Sequence, residues 1–503
     1  MTLALTRQFD KRPLGWLLAI VAAITFFRVV VLILTPLNLG PDEAQYWSWS
    51  LSPAFGYFSK PPMIAWVIGA STNICGIGES CIRISAPFFH AATSIIIFLA
   101  AKALYDERTG VWSALTYLCI PGTSFSSLLI TTDVPLLFFW SIALWALAEL
   151  RNSPATKWAL TLGVAVGFGL MTKYAMLYFV MGAAIALLPD KNGRRVIISQ
   201  YGAIATVAAL TVFAPNIVWN LSNSFATVRH TAANANWGSA HLFNFGHIFE
   251  FLGAQIGIIG PVAAGVICWG LVRNWRDKNF AHPDTLMLAL SLPIITIVAT
   301  QAFISRANAN WAAPAFITLT ILACAWALRH RRTRLLVVNT AINVSVGLLL
   351  GILAVSPAVV AAVGQENSVK RLRGWDEAGR TIITIASSAA FTAILSDDRE
   401  DMASLCYYTR ARTLPLRMWP NEHPRNEYES SYALSADVAS NVLFVTRRTD
   451  ASDVTRAFAS VERIGTIETR LDSKRKRVFY LFALKGPVTA STFPKFSNRP
   501  STD

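Results

Sequence analysis

Apolar runs long enough to cross a bilayer as helices recur through the first 362 residues, and they limit the fold more than any motif does. They lie at roughly 15–36, 82–104, 111–128, 133–150, 158–172, 174–189, 197–217, 248–272, 285–304, 312–328 and 335–362. A spanning helix needs about 20 mostly apolar residues. The pattern therefore predicts a mainly α, polytopic membrane protein of about eleven transmembrane helices, with residues 1–362 as one transmembrane domain. Charged residues make up 15% of the chain, against about a quarter in soluble domains.

The net charge of +15 does not point to nucleic acid, because the cations fall in short clusters between apolar runs. One set of loops holds Arg7, Lys11 and Arg12; Lys102 and Arg108; Arg151 and Lys157; Lys191, Arg194 and Arg195; Arg273, Arg276 and Lys278; and Arg329, Arg331, Arg332 and Arg334. The other set holds only Lys60, Arg83, Lys173, Arg229 and Arg306. The positive-inside bias makes the first side cytoplasmic. An odd number of crossings then puts the C-terminus outside, which in a bacterium is the periplasmic face of the inner membrane. The N-terminal apolar run is long and has no small-residue cleavage site after it, so it reads as a span and not as a cleaved signal.

From 363 to 503 charges of both signs are frequent. TIITIASS, NVLFVTRR and KRVFYLFALKG read as strands and DDREDMASLCYYTRA as a helix. This predicts a small extracytoplasmic α/β domain with a polar tail after Val488. The six cysteines show no metal spacing. Cys119, Cys268 and Cys324 read as buried small hydrophobes, and Cys75 and Cys81 read as either a disulfide or two packed thiols.

On this topology the polar residues that interrupt apolar context collect on the outer face. They are Asp42 and Glu43 in GPDEAQYW, Tyr57 and Lys60 in GYFSKPP, Asp133 in TTDVP, Lys173 in MTKY, the Asn- and His-rich stretch 216–237, and Arg306, Asn308 and Asn310 in SRANANW. Each has a plain structural alternative: Asp133 as a helix cap, Lys173 as a snorkelling side chain, Asp42–Glu43 as a capping pair. Pro61-Pro62 should launch a short helix over MIAWVIGAST. Arg28, inside the first run, calls for a pairing within the bundle.

GPDEAQYW after a first transmembrane helix, then GYFSKPP, TTDVPLLFF, WNLSNSF, FEFLGAQIGIIGP, NANWAAPAF and RLRGWDEAG, together resemble the membrane-embedded glycosyltransferases of the GT-C fold. The likeness is to the bacterial branch related to protein O-mannosyltransferases and lipid A aminoarabinose transferases, and it covers about residues 10–390. It implies transfer of a sugar from a polyprenyl-phosphate donor, with inversion, to a lipid or glycan acceptor at the outer face. Asp42 is then the general base. Glu43 and Asp133 are its neighbours in the catalytic set, Glu43 steadying the loop or the acceptor, and Asp133 orienting Lys60 or touching the acceptor. Tyr57, Lys60, Lys173, Arg229 and Arg306 are the groups for the donor phosphate. Many relatives carry an acidic residue where this chain has Ser59, before Lys60-Pro61-Pro62. That departure predicts no required metal, and no cofactor is implied.

Two other classes fit a polytopic chain. A transporter or lipid flippase would place its ionisable groups near the midplane and often shows repeats; neither is seen here. A non-catalytic scaffold leaves the outer-face carboxylates and cations unexplained. The sugar stays open among a hexose, a uronic acid and aminoarabinose. The acceptor stays open among lipid A or lipopolysaccharide core, a cell-wall polysaccharide and exported proteins, in that order. The C-terminal domain reads either as a selector of acceptor or as a stabilising lid.

Overall fold

The computed structural model describes residues 13–235, 242–421, 424–472 and 474–488. Arg7, Lys11 and Arg12, Asn236 and Trp237, and the tail after Val488 lie outside the described residues. The chain divides into two compact units. One comprises Met1–Thr35, Ala54–Gly56 and Lys60–Ala354; the other Pro36–Pro53, Tyr57–Ser59 and Val355–Asp503. The division falls close to the 362/363 boundary read from sequence, but most of the segment between Pro36 and Ser59 groups with the C-terminal residues.

The first unit is helical. Among the described residues, six helices are long and apolar enough to cross a membrane: Leu14–Leu34, Glu79–Leu104, Asp133–Asn152, Gln200–Ser222, His282–Ile304 and Thr333–Val355. The run 248–272 is a bent pair, Phe245–Ile259 and Pro261–Arg276, meeting at 107°, and counts as a seventh if taken as one span. The break has a local cause. Gly260 adopts φ +90°, and a Cβ there would lie 2.6 Å from Asn343 Oδ1, so a side chain is barred twice over. The runs at 111–128, 158–172, 174–189 and 312–328 also form helices, each shorter than a full span. Pro121 divides the first of these, and extended backbone at Lys173 separates the second from the third.

Trp140, Phe179, Ile294, Phe316 and Trp326 are buried in the bundle core. Val207, Leu210, Val218 and Leu221 point outward from helix Gln200–Ser222, as lipid-facing residues do. Cys119 and Cys324 are buried, as expected. Cys268 is exposed instead, because it lies on the side of Pro261–Arg276 turned away from the core. Cys75 and Cys81 form a disulfide. Arg28 has no carboxylate partner among the described residues; its Nη2 donates to the Leu118 carbonyl at 2.5 Å and to Ser124 Oγ at 3.2 Å.

At the helix ends that the loop charges mark as basic, Asp284 is fully buried. It accepts from Arg329 Nη1 at 2.6 Å, Trp326 Nε1 at 3.0 Å and Tyr105 Oη at 2.8 Å. Both of its oxygens accept hydrogen bonds and Arg329 supplies the opposite charge, which is the condition for a buried carboxylate to hold helices together without unpaired charge.

The second unit is built on a five-stranded mixed sheet: β1 (Ala393–Ser396), β2 (Leu416–Met418), β3 (Asn441–Thr446), β4 (Phe458–Arg470) and β5 (Lys476–Pro487). Their order is β2-β1-β3-β5-β4. β1 pairs parallel with β2 and β3; β5 pairs antiparallel with β3 and β4. NVLFVT and KRVFYLFALKG are strands, and Arg399–Tyr408 is a helix, as read from sequence. TIITIASS is not a strand. It belongs to helix Trp375–Ser388, whose buried residues Trp375, Ala378, Gly379, Ile382 and Ala386 fall three or four apart. That helical spacing outweighs the local β-branched run.

Candidate active site

GPDE starts a helix for local reasons. Pro41 occupies the first helical position, where its missing N–H costs nothing. Glu43 reaches back to accept the Gly40 N–H at 2.8 Å, which closes a capping turn around Gly40. Glu43 is buried and so tied into the helix start. Asp42 is turned outward: its side chain is 66% exposed and its Oδ1 accepts from Arg399 Nη1 at 3.2 Å. The same Arg399 nitrogen donates to Gln45 Oε1 at 2.7 Å.

The helix Pro41–Ser50 is held within the second unit by packing and by backbone. Trp47 meets Tyr407 edge-on at 4.9 Å, and the Leu39 N–H donates to Tyr408 Oη at 2.6 Å. The Asn38 N–H donates to the Leu372 carbonyl at 2.9 Å, while Asn38 Oδ1 accepts the Trp375 N–H at 3.0 Å. These bonds join the residues around GPDE to RLRGW. Gly374 makes the join with φ +77°, and a Cβ there would lie 2.7 Å from Thr469 Oγ1. Tyr57 is buried, stacks on Trp49 at 4.7 Å, and shares its hydroxyl proton between the carbonyls of Trp49 and Ser52. It closes the far end of the same helix.

Arg399 was not singled out in the sequence, although a signal was there. It is the first residue of a helix capped by Asp398, whose side chain accepts the N–H groups of Glu400 and Asp401. A cation at a helix N-terminus opposes the helix dipole, so another group must reward it. Burial pulls the Arg399 guanidinium down, but its neighbours, Asp42 foremost and Glu400 after it, together hold it above its ordinary range.

The first unit contains a second constellation, at the helix ends opposite the Asp284 cluster. Asp133 opens helix Asp133–Asn152, but its carboxylate does not cap it. Oδ1 accepts from Lys173 Nζ at 2.7 Å and Oδ2 from Asn310 Nδ2 at 2.6 Å. Lys173 reaches inward because the chain is extended there, between two helices, so it does not snorkel. Beside it, Tyr174 Oη donates to Asn216 Oδ1 at 2.9 Å, Asn220 Nδ2 donates to Tyr174 Oη at 3.1 Å, and Asn216 Nδ2 donates to the Phe55 carbonyl at 2.6 Å.

Lys60 is half-buried just before helix Met63–Cys75, the short helix expected after Pro61-Pro62. Arg229 lies in helix Ala226–Ala233 and Arg306 between Ile304 and Ala309. Among the described residues neither arginine has an ion-pair partner. Also among the described residues, no three His, Cys, Asp or Glu side chains come together as a metal site. Of the residues predicted from sequence, the structure thus gathers Asp42, Glu43 and Tyr57 in the second unit, and Asp133 with Lys173 in the first.

The chain is similar to known proteins in sequence and in fold. Over 431 residues the chain is 35% identical to the lipid A galacturonosyltransferase RgtD of Rhizobium johnstonii, covering 85% of this chain and 90% of that one. The chain belongs to the GT-C membrane glycosyltransferases. Residues 59–219 match the family described as dolichyl-phosphate-mannose-protein mannosyltransferase. The undecaprenyl phosphate-alpha-4-amino-4-deoxy-L-arabinose arabinosyl transferase of Yersinia pestis is 25% identical, over 73% of this chain and 72% of its own. The fold is that of ArnT from Cupriavidus metallidurans, solved bound to undecaprenyl phosphate, with a TM-score of 0.68 at 17% identity over 94% of this chain and 99% of that one.

Proposed function

We propose that this chain transfers a sugar from a polyprenyl-phosphate carrier to lipid A or the lipopolysaccharide core at the periplasmic face, with Asp42 as general base. The carrying observation is the 35% identity to a lipid A galacturonosyltransferase over nearly the whole of both chains. The aminoarabinose transferase kinship supplies the class of donor. The loop-charge bias supports a cytoplasmic N-terminus and a periplasmic second unit.

An acceptor hydroxyl is a poor nucleophile until a base takes its proton in the transition state. In a single displacement the acceptor oxygen bonds to the anomeric carbon, the bond from that carbon to the lipid phosphate oxygen breaks, and the configuration inverts. The proton passes to Asp42 and the charge to the departing lipid phosphate. Asp42 suits the base because it is exposed, while the adjacent Glu43 is committed to the helix start. Lys60, Arg229 and Arg306 are assigned to the phosphate, whose developing charge needs fixed cations. Asp133 and Lys173 neutralise each other and are assigned to positioning. Galacturonic acid is the first sugar to test, since its carboxylate would give the two arginines a further partner.

The test uses purified full-length chain, a panel of radiolabelled polyprenyl-phosphate sugars and lipid A as acceptor, with and without EDTA. Wild type should label lipid A, and D42N should not while melting normally. A fully active D42N would remove the base assignment. Consumption of no donor by wild type, with lipid, glycan and protein acceptors all tried, would remove the transferase reading. Loss of activity in EDTA would show a metal requirement.

A further inference from the structure

RLRGWDEAG does more than join the Asp42 helix to its unit. Its first residues line a cavity of about 470 Å³ that lies wholly within the second unit. The cavity's ionic wall is Lys370, Arg371, Arg447, Lys476 and Arg477, with Glu400 the one carboxylate among the lining residues. Pro41, the residue before Asp42, forms another part of the wall.

Three of these cations are paired with carboxylates, one of them Glu400 of the wall itself. Arg371 lies 3.5 Å from Glu400, Arg447 2.7 Å from Asp401 and 3.1 Å from Asp398, and Lys476 2.6 Å from Glu468. Two are not. The Lys370 ammonium has no anionic partner among the described residues. Arg477 is 7% exposed. Its Nη2 donates to the carbonyls of Lys370 and Arg373 at 3.3 and 3.1 Å, its guanidinium lies 3.7 Å over the Trp375 ring, and its Nε is buried with no hydrogen-bond partner. A buried guanidinium donor left unmatched is costly, and burial pushes the Arg477 group down to about 10. Lys370 and Arg477 therefore add positive charge to a wall whose other three cations are paired, and an entering anion would be drawn to it. Arginine forks are shaped to grip phosphate by paired N–H groups, and the volume is that of a pocket for a small ligand.

We propose that this cavity seats a phosphate of a phosphorylated saccharide, the anionic head of the acceptor, beside the helix that carries Asp42. The assignment rests on the transferase reading for the word acceptor; the anion site stands on its own geometry. It gives the C-terminal unit a task in substrate choice: only a saccharide bearing a phosphate at the right distance would be held with its hydroxyl near the base.

The experiment measures binding to detergent-purified full-length protein by calorimetry. The probes are a deacylated glucosamine disaccharide bisphosphate, the same disaccharide without phosphate, inorganic phosphate and undecaprenyl phosphate. The proteins are wild type, D42N, the double variant Lys370→Gln with Arg371→Gln, and separately Lys476→Gln. Lys370 and Arg371 are exposed, so the double variant should fold. Loss of charged hydrogen bonds predicts binding of the bisphosphate weakened about tenfold or more, with a matching rise in KM for lipid A and a smaller change in kcat. D42N should bind the bisphosphate like wild type. Unchanged affinity in both cation variants would overturn the site. Equal binding of inorganic phosphate and the bisphosphate would remove the saccharide from the assignment. Weakened undecaprenyl phosphate binding in the double variant would mean a donor site and overturn the acceptor reading. An active D42N would sink the base assignment while leaving these binding results intact.

Discussion

Asp133 with Lys173, and Asp42 with Arg399, are the same chemical pair in opposite settings. In the helical unit the Asp133 side chain is 7% exposed and Lys173 20%, and Asn310 occupies the second carboxylate oxygen. In the second unit Asp42 is 66% exposed and Arg399 36%. The first pair is closed: its carboxylate has bonds to both oxygens and little water. The second is open, and its cation divides its attention between Asp42 and Gln45. A buried pair resists separation because breaking it strands a charge; an exposed one is loosely held and screened by salt. A carboxylate that takes a proton from a substrate must be within the substrate's reach, which the exposed Asp42 allows and the doubly bonded Asp133 does not.

The largest effect that would break this comparison is on transfer. D42N should lower the rate by about 10²- to 10⁴-fold, the usual contribution of a general base, with an unchanged melting temperature. D133N should not match that loss in kcat once the protein is folded. The reverse ranking, read by radiolabel transfer, would exchange the two roles.

Stability should rank them the other way. Removing Asp133 alone strands Lys173, so D133A should cost about 3–5 kcal/mol, seen as a large drop in melting temperature. Adding Lys173→Met should recover much of it. Additive losses in that double-mutant cycle would mean the pair is not coupled.

Arg399 sharpens the open side. R399Q should change stability by no more than about 1 kcal/mol yet lower kcat several-fold by freeing the Asp42 carboxylate from its set direction, with R399K restoring most of the rate. A variant that melts early instead would make Arg399 a folding residue only.

The smallest effect concerns pH. Burial pushes the Glu427 carboxyl up to about 7. Burial likewise pushes Asp401 up to about 7 against the pull of Arg447. A carboxyl raised above its unfolded value near 4 binds its proton more tightly when folded. Its stabilising share is fully present below about pH 4 and is lost as pH rises through about 7. The melting temperature should therefore fall between pH 5 and pH 8 from these groups, and E427Q should flatten that fall. An unchanged slope would mean that Glu427 is already ionised in the folded state.

Much of the helical unit was legible because apolar length is a local property. Each of the eleven runs has a helix in it, yet among the described residues six reach a full span alone. Local breaks at Pro121, at Gly260 and in the extended backbone at Lys173 account for four of the other five. The strand reading of TIITIASS failed where residue preference and burial spacing disagreed, and the spacing, set by the tertiary neighbours of Trp375 and Ile382, prevailed.

The residue types of the candidate site were legible too, as charges out of place in apolar context. Their partners were not. Nothing local in GPDE announces Arg399, more than 350 positions away in the chain, and nothing local in TTDVP announces that Asp133 binds Lys173 and Asn310. The sequence by itself determined a membrane-spanning helical chain with a polar α/β end, and a short list of misplaced charges, because hydropathy and charge act through the solvent each residue must face. Only the tertiary structure decided which carboxylate is shielded and which is open. It also decided that the Asp42 helix is held by the C-terminal residues. Exposure and pairing are set by segments that meet in space, and no distance along the chain measures that.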